Sequence, residues 1–356
     1  MHILIIASQK SIHTVKWANK LSEKGYQISV LTMHSKRDAF DSKVKVIQLP
    51  FKNPYGYILN ILRVRKIIRE LNPDIVHSFY AFGHSFLARM SGFKPHVISV
   101  MGSDIYDDTT NFVYRNIIVN NIKRADVVCS TSFIMKEKIK AVTGISKEIY
   151  VTPFGVDIEK FKPKKKRRDS TYDYIIGTVK WMEDKYGIDT LLKAFALFCD
   201  KYPDKNFKLY LIGGGSKSKE LENLAKKLKI YDNCDFVGSV LHEEIPDWLH
   251  KFDLFGALSR LDSESFGVSI IEACACELPV VVSNSGGLPE VVEAEKTGKV
   301  VPKENPQKAF EAIDFMFRNR EIAAEMGKNG RKRVQDLYDW NNSAIQMEKI
   351  YNSIIR

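Results

Sequence analysis

The chain has 356 residues, 44% hydrophobic and 27% charged, enough apolar material for two cores of ordinary size and too regularly patterned for a disordered chain. Its 54 Lys and Arg against 43 Asp and Glu leave a formal charge of +11. No apolar run approaches the roughly 18 residues that span a bilayer, and Met1-His-Ile-Leu-Ile-Ile-Ala7 has neither a basic leader nor a cleavage site, so a cytoplasmic protein is expected.

Short apolar strands alternate with helical patterns throughout, as in parallel sheets covered by helices. Strands are predicted over residues 2–7, 27–32, 44–49, 75–78, 96–100, 127–131 and 149–152, with a helix over 14–24 that Gly25 closes in a left-handed cap. Phe51-Lys-Asn-Pro-Tyr-Gly-Tyr57 leads into Ile58-Leu-Asn-Ile-Leu-Arg63-Val-Arg65-Lys66-Ile-Ile-Arg69. That mixture is read first as a helix packed on the first sheet with a basic outer side, and second as an interfacial helix on a membrane. The turn-prone run Lys162-Pro-Lys-Lys-Lys-Arg-Arg-Asp-Ser170 marks the expected domain boundary. A second series follows, with strands at 174–179, 207–213, 234–237, 254–258 and 280–283 and helices at 187–202, 217–228 and 267–276. The fold class is therefore α/β: two Rossmann-like, doubly wound domains, 1–165 and 166–338, facing a central cleft, with a last helix in 339–356 returning to the first.

Charge is unevenly spread. Residues 1–168 hold 29 Lys and Arg against 13 Asp and Glu, a net of +16, and residues 169–356 carry −5. The basic half suits an anionic partner: nucleic acid, an anionic membrane surface through cations such as Lys36, Arg37, Lys43 and Lys45, or a phosphorylated acceptor. No nucleic-acid motif accompanies the charge, so nucleic acid is not expected. Cys129, Cys199, Cys234, Cys274 and Cys276 lack zinc-ligand spacing and are read as small buried thiols.

The densest chemical signal is Asp262-Ser-Glu264-Ser-Phe-Gly-Val-Ser-Ile-Ile-Glu272, followed by Gly286-Gly287-Leu-Pro-Glu290. A strand runs into a loop bearing Glu264, and a helix opens near Gly267, where backbone N–H groups can receive a diphosphate. Glu272, on the same helix, reaches a different part of that ligand. Gly177-Thr-Val-Lys180-Trp-Met-Glu-Asp-Lys185-Tyr-Gly187 places two cations in the loop after another strand, as a diphosphate leaving group requires.

This ordered set, with Gly155-Val-Asp157 and Gly213-Gly-Gly215, resembles the retaining glycosyltransferases of family 4, which have the GT-B fold, along essentially the whole chain. The resemblance implies transfer of a hexose or N-acetylhexosamine from a nucleotide diphosphate sugar to a glycan or lipid-linked acceptor, with retained configuration, in bacterial surface polysaccharide or glycolipid synthesis. It assigns Glu264 to the donor hexose, Glu272 to the ribose, and Phe266, Gly267, Gly177, Gly213, Val240 and Val268 to donor binding, so 166–338 is the donor domain. Thr178 stands where the family has arginine; Lys180 is read as its substitute, and Lys185 matches the family lysine. With these cations present, no metal or other cofactor is expected. The acceptor domain would use His13, His77, Gly102 and Asp104, and the enzyme would sit in the cytoplasm, peripherally on the inner face of the plasma membrane. A nucleotide-sugar epimerase on the same fold, or a basic nucleic-acid-binding protein, are the alternative classes.

Overall fold

A computed structural model describes residues 1–34, 40–164 and 171–355. The chain divides into two compact units, Met1–Phe154 with Trp340–Arg356, and Gly155–Asp339.

In the first unit, strands β1 (His2–Ile6), β2 (Gln27–Thr32), β3 (Lys45–Gln48), β4 (Ile75–Phe79), β5 (His96–Ser99), β6 (Val127–Ser130) and β7 (Ile149–Val151) form one sheet of order β3-β2-β1-β4-β5-β6-β7. All pairings are parallel. Helices cover both faces, so β1 is buried at every position while the edge strand β3 is largely exposed. Ile3 and Ile5 enter one core with Trp17 and Val30; Leu4 and Ile6 enter the other with Val64, Ile67 and Ile68.

The helix Trp340–Ile354 completes the first of these cores, since Trp340 meets Trp17 edge-on at 5.0 Å and Met347, Ile350 and Tyr351 pack beside β1 and β2 residues. The division between units falls at Phe154–Gly155; the expected boundary at 165/166 lies outside the described residues, as do Lys36 and Arg37. Residues after Gly155 already belong to the second unit, because Val156 N–H donates to the Tyr338 carbonyl at 2.8 Å and Phe161 is buried with its carbonyl accepting from Arg331. Counted by these units, the first carries 24 Lys and Arg against 12 Asp and Glu, a net of +12, and the second 30 against 31. The basic run around 162–168 thus belongs, by position, to the second unit.

The second unit holds β8 (Tyr174–Val179), β9 (Phe207–Ile212), β10 (Cys234–Gly238), β11 (Leu254–Ala257), β12 (Val280–Ser283) and β13 (Gly298–Val301) in the parallel order β10-β9-β8-β11-β12-β13. The edge strand β13 is an addition to the predicted set; its four residues, Gly-Lys-Val-Val, are too short to display a strand period. The five cysteines are free, and burial pushes each thiol up to about 12, so they stay protonated.

Burial also holds three imidazoles of the first unit neutral, pushing His77 and His96 down to about 3 and His84 to about 4. In the unfolded chain they protonate near pH 6.5, so their contribution to stability is complete above that pH and is lost as pH falls toward their folded values. Asp104 has the opposite sign. Burial raises its carboxyl to about 6, a contribution present below its unfolded value and lost as pH rises through 6. Three groups outweigh one, so thermal melts should show stability falling between pH 6.5 and 4, each histidine contributing about 1.4 kcal/mol per pH unit. A melting temperature flat across that window would contradict the assignment.

Candidate functional site

The order of the second sheet reverses between β8 and β11, and the loops leaving the carboxyl ends of these two strands meet. Thr178 is buried within β8, whereas Lys180 stands just past its end, where its Nζ donates to Glu264 Oε1 at 2.7 Å. This ion pair is nearly closed to solvent, with side chains 8% and 11% exposed. Lys185 Nζ donates to the Ser263 carbonyl at 2.9 Å, so both ammonium groups converge on the loop that carries Glu264. Between them lies Tyr186, its ring 5.2 Å from Lys180 Nζ and 5.6 Å from Lys185 Nζ, and burial raises its hydroxyl to about 12.

The backbone holds this arrangement by close approaches only glycine allows. Gly187, at φ +59°, lies against the Leu258 carbonyl, and Gly213, at φ +131°, against that of Lys180. Lys180 N–H donates to Ile212 and Met182 N–H to Gly214, which clamps the Lys180 loop onto the Gly213-Gly-Gly215 turn. After β12, Gly286 N–H donates to Asp262 Oδ1 at 2.9 Å and Gly287 N–H to the Glu264 carbonyl at 3.0 Å. Asp262 is also ion-paired to Lys303.

Gly267, at φ +93°, caps the helix Val268–Ala275; its carbonyl accepts from Ile270 N–H at 3.0 Å, so within the helix only the Val268 and Ser269 N–H groups are left without acceptors. Phe266 is buried with its ring edge-on to Tyr338 at 5.3 Å, and Val268 is half-buried. Glu272, 4% exposed, receives His242 Nε2 at 2.8 Å, and the His242 ring lies 5.5 Å from that of Phe161. Val240, two residues ahead of His242, is half-buried beyond the end of β10.

The first-unit candidates stand differently. His77 is fully buried on β4, between the Tyr351 hydroxyl at 2.7 Å and Ser99 Oγ at 2.9 Å, and is therefore a core residue instead of an open one. Asp104 is likewise fully buried; its carboxylate accepts from Ala81 N–H at 2.7 Å, Gly102 N–H at 2.8 Å and Met101 N–H at 3.1 Å, which shapes the turn after β5. Gly102, at φ +124°, is the bend of that turn. His13 stacks on Phe154 with ring centroids 3.9 Å apart. Motif reading missed Tyr186, His242 and Arg260, whose N–H donates to the Lys185 carbonyl and whose side chain pairs with Asp189; only the cation-rich loop around Tyr186 carried a local signal.

Among the described residues no group of three or more His, Cys, Asp or Glu side chains is placed to hold a metal ion, and no helix is long and apolar enough to cross a membrane. A cavity of about 640 Å³ borders Glu183, Asp189, Lys217 and Arg260 but includes none of Lys180, Lys185, Glu264 and Glu272. Its walls are ion-paired among themselves, Lys217 with Asp184 and Glu220, and Lys193 with Asp189.

Residues 158–333 match the family described as glycosyl transferases group 1, and residues 2–132 the family described as glycosyl transferase 4-like. The chain is 25% identical to an uncharacterized glycosyltransferase of Methanocaldococcus jannaschii, over 93% of this chain and 91% of that protein. It is 26% identical to a GDP-mannose-dependent alpha-(1-6)-phosphatidylinositol monomannoside mannosyltransferase of Mycobacterium tuberculosis, over 80% of this chain and 77% of that one. Among solved structures, Anabaena HepE in complex with UDP and glucose superposes with a TM-score of 0.82 at 18% identity, covering 99% of both chains. The two units are thus the two Rossmann-like domains of the GT-B fold.

Proposed function

This chain belongs to glycosyltransferase family 4, among the glycosyl transferases group 1, and we propose that within it the chain moves a hexose or N-acetylhexosamine, with retained configuration, from a nucleotide diphosphate sugar to a glycan or lipid-linked acceptor. The observation that carries this reading is the Lys180–Glu264 pair at the sheet's reversal point, with Lys185 beside it.

On this reading the diphosphate takes up the Lys180 and Lys185 ammonium groups together with the N–H groups of Val268 and Ser269. Lys180 then leaves Glu264, whose carboxylate accepts from hydroxyls of the hexose. Glu272, oriented by His242, receives the ribose hydroxyls. The bond from the anomeric carbon to the phosphate oxygen breaks while the acceptor oxygen bonds on the same face, and the acceptor proton passes to the departing phosphate oxygen. The enzyme contributes orientation and charge compensation, with no metal in the scheme. The acceptor falls to the first unit, where His13 and the turn at Gly102 are the candidates for contacting it. A relative named as a phosphatidylinositol monomannoside mannosyltransferase supports a lipid-linked acceptor; on this reading it is met at the inner face of a bacterial plasma membrane.

A panel of uridine and guanosine diphosphate sugars, scored by thermal stabilisation of the full chain and then by NMR of the product's anomeric carbon, tests the reading. One nucleotide class should raise the melting temperature, and Glu272→Ala should weaken that donor about tenfold or more, the loss of a hydrogen-bonded charge. His242→Ala should raise the donor KM with a smaller change in kcat. Inverted product configuration, or no stabilisation by any donor, would overturn it.

A further inference from the structure

We propose that the first unit docks on an anionic lipid surface through a two-lobed apolar patch made by the helix Gly56–Leu59, the start of the helix Ile61–Leu71, and the start of the helix Phe112–Arg124. This deepens the lipid-linked acceptor reading. In the first lobe Tyr55 and Leu62 are 75% exposed, with Ile58, Leu59 and Phe51 also exposed; in the second, Phe112 is 75% and Val113 60% exposed.

The helix Ile61–Leu71 does pack on its sheet, through Val64, Ile67 and Ile68, but that packing leaves the exposed apolar side chains unaccounted for. The two lobes lie far apart in sequence and are joined by a row of rings. Tyr57 meets Phe82 at 6.0 Å, and Phe82 meets Tyr114 at 4.5 Å, with Tyr57 lying so close over Gly83 that no Cβ would fit there. Residues adjacent to both ends of this row carry the apolar side chains, so one side of the unit presents them together.

Charge selects the occupant. Lys52, Arg63, Lys66, Arg69 and Arg115 are exposed beside the patch. The acidic groups near it are Glu70, 3.7 Å from Lys66, the exposed Asp107, and Asp108, which accepts from the Tyr80 hydroxyl. A net of +12 on the unit opposes a second copy of the same face and favours an anionic bilayer, into whose interface aliphatic and aromatic tips enter while flanking cations meet headgroups.

The test is sedimentation of the full chain with vesicles of phosphatidylcholine alone or with phosphatidylglycerol at a molar fraction of about one third, at low and high salt. The wild type should pellet with the anionic vesicles at low salt and far less with neutral ones. Ile58→Gln with Leu62→Gln, and separately Phe112→Ser with Val113→Ser, should each weaken vesicle binding about tenfold, as should Arg63→Glu with Lys66→Glu. Melting temperature and donor stabilisation should stay unchanged in all three, which separates loss of docking from loss of folding or of the donor site. Equal binding by wild type and variants, or a dimer in light scattering that the apolar substitutions dissolve, would overturn the proposal; a failure of donor turnover alone would leave vesicle binding intact.

Discussion

Exchanging Lys180 for methionine will lower kcat for sugar transfer by about 10²–10³-fold, the cost of removing one charged donor aimed at a developing negative charge. It will also destabilise the second unit by about 3 kcal/mol, because Glu264 is left as a buried carboxylate without its partner at 2.7 Å. These two effects separate in the double variant. Lys180→Met with Glu264→Gln removes both charges, so the melting temperature should largely recover while activity stays low. Glu264→Gln alone should keep the donor's diphosphate contacts and lose the sugar's, lowering kcat more than it weakens nucleotide binding. Lys185→Ala should be as damaging to turnover as Lys180→Met, since its Nζ reaches the same loop at the Ser263 carbonyl. Turnover unchanged in Lys180→Met and abolished in Lys185→Ala would mean that Lys180 serves only the fold.

Gly286→Ala will have the second large effect, without touching any charged group. A Cβ at this position would collide with the carbonyl oxygens of Glu264 and Asp262, backbone atoms that can yield only if their loop moves. Residue 286 also sits at φ +49°, a left-handed conformation that adds strain for alanine. The loop from Asp262 to Glu264 must therefore shift, losing the Gly286 N–H to Asp262 bond and moving the carboxylate that pairs with Lys180. A destabilisation of about 1–3 kcal/mol follows from overpacking. Catalysis should fall further, by about 10²-fold, because a displacement near 1 Å is enough to spoil a positioned group. Differential scanning calorimetry and steady-state kinetics measure the two losses, and near-wild-type values for both would show that the loop gives way freely.

Much of the acid sensitivity argued for the first unit, by contrast, lay hidden in the sequence. Nothing around His77 distinguishes a ligand-facing histidine at a strand end from a core one. The difference is Tyr351, which reaches it from the far end of the chain at 2.7 Å. Asp104 follows the same logic: a polar residue after a strand suggests a ligand contact, yet its carboxylate serves three backbone N–H groups. A buried polar group must find partners, and when those partners are distant in sequence no local motif announces them. His242 is the converse, a residue outside every motif that gains a place by meeting Glu272.

Local spacings in the chain already specified the strands of both sheets other than β13, the helices that follow β1, β8, β9 and β11, and the Glu264–Glu272 and Lys180–Lys185 motifs. Each of these rests on spacings of a few residues, where strand and helix periods act directly on neighbouring side chains. Only long-range packing set β8 beside β11, and so Lys180 against Glu264, brought Tyr351 of the last helix to His77, and left two apolar lobes on one side of the first unit. Strand order and helix docking are set by burying whole faces against one another. That free energy sums over contacts between distant segments, and no single stretch of sequence carries it.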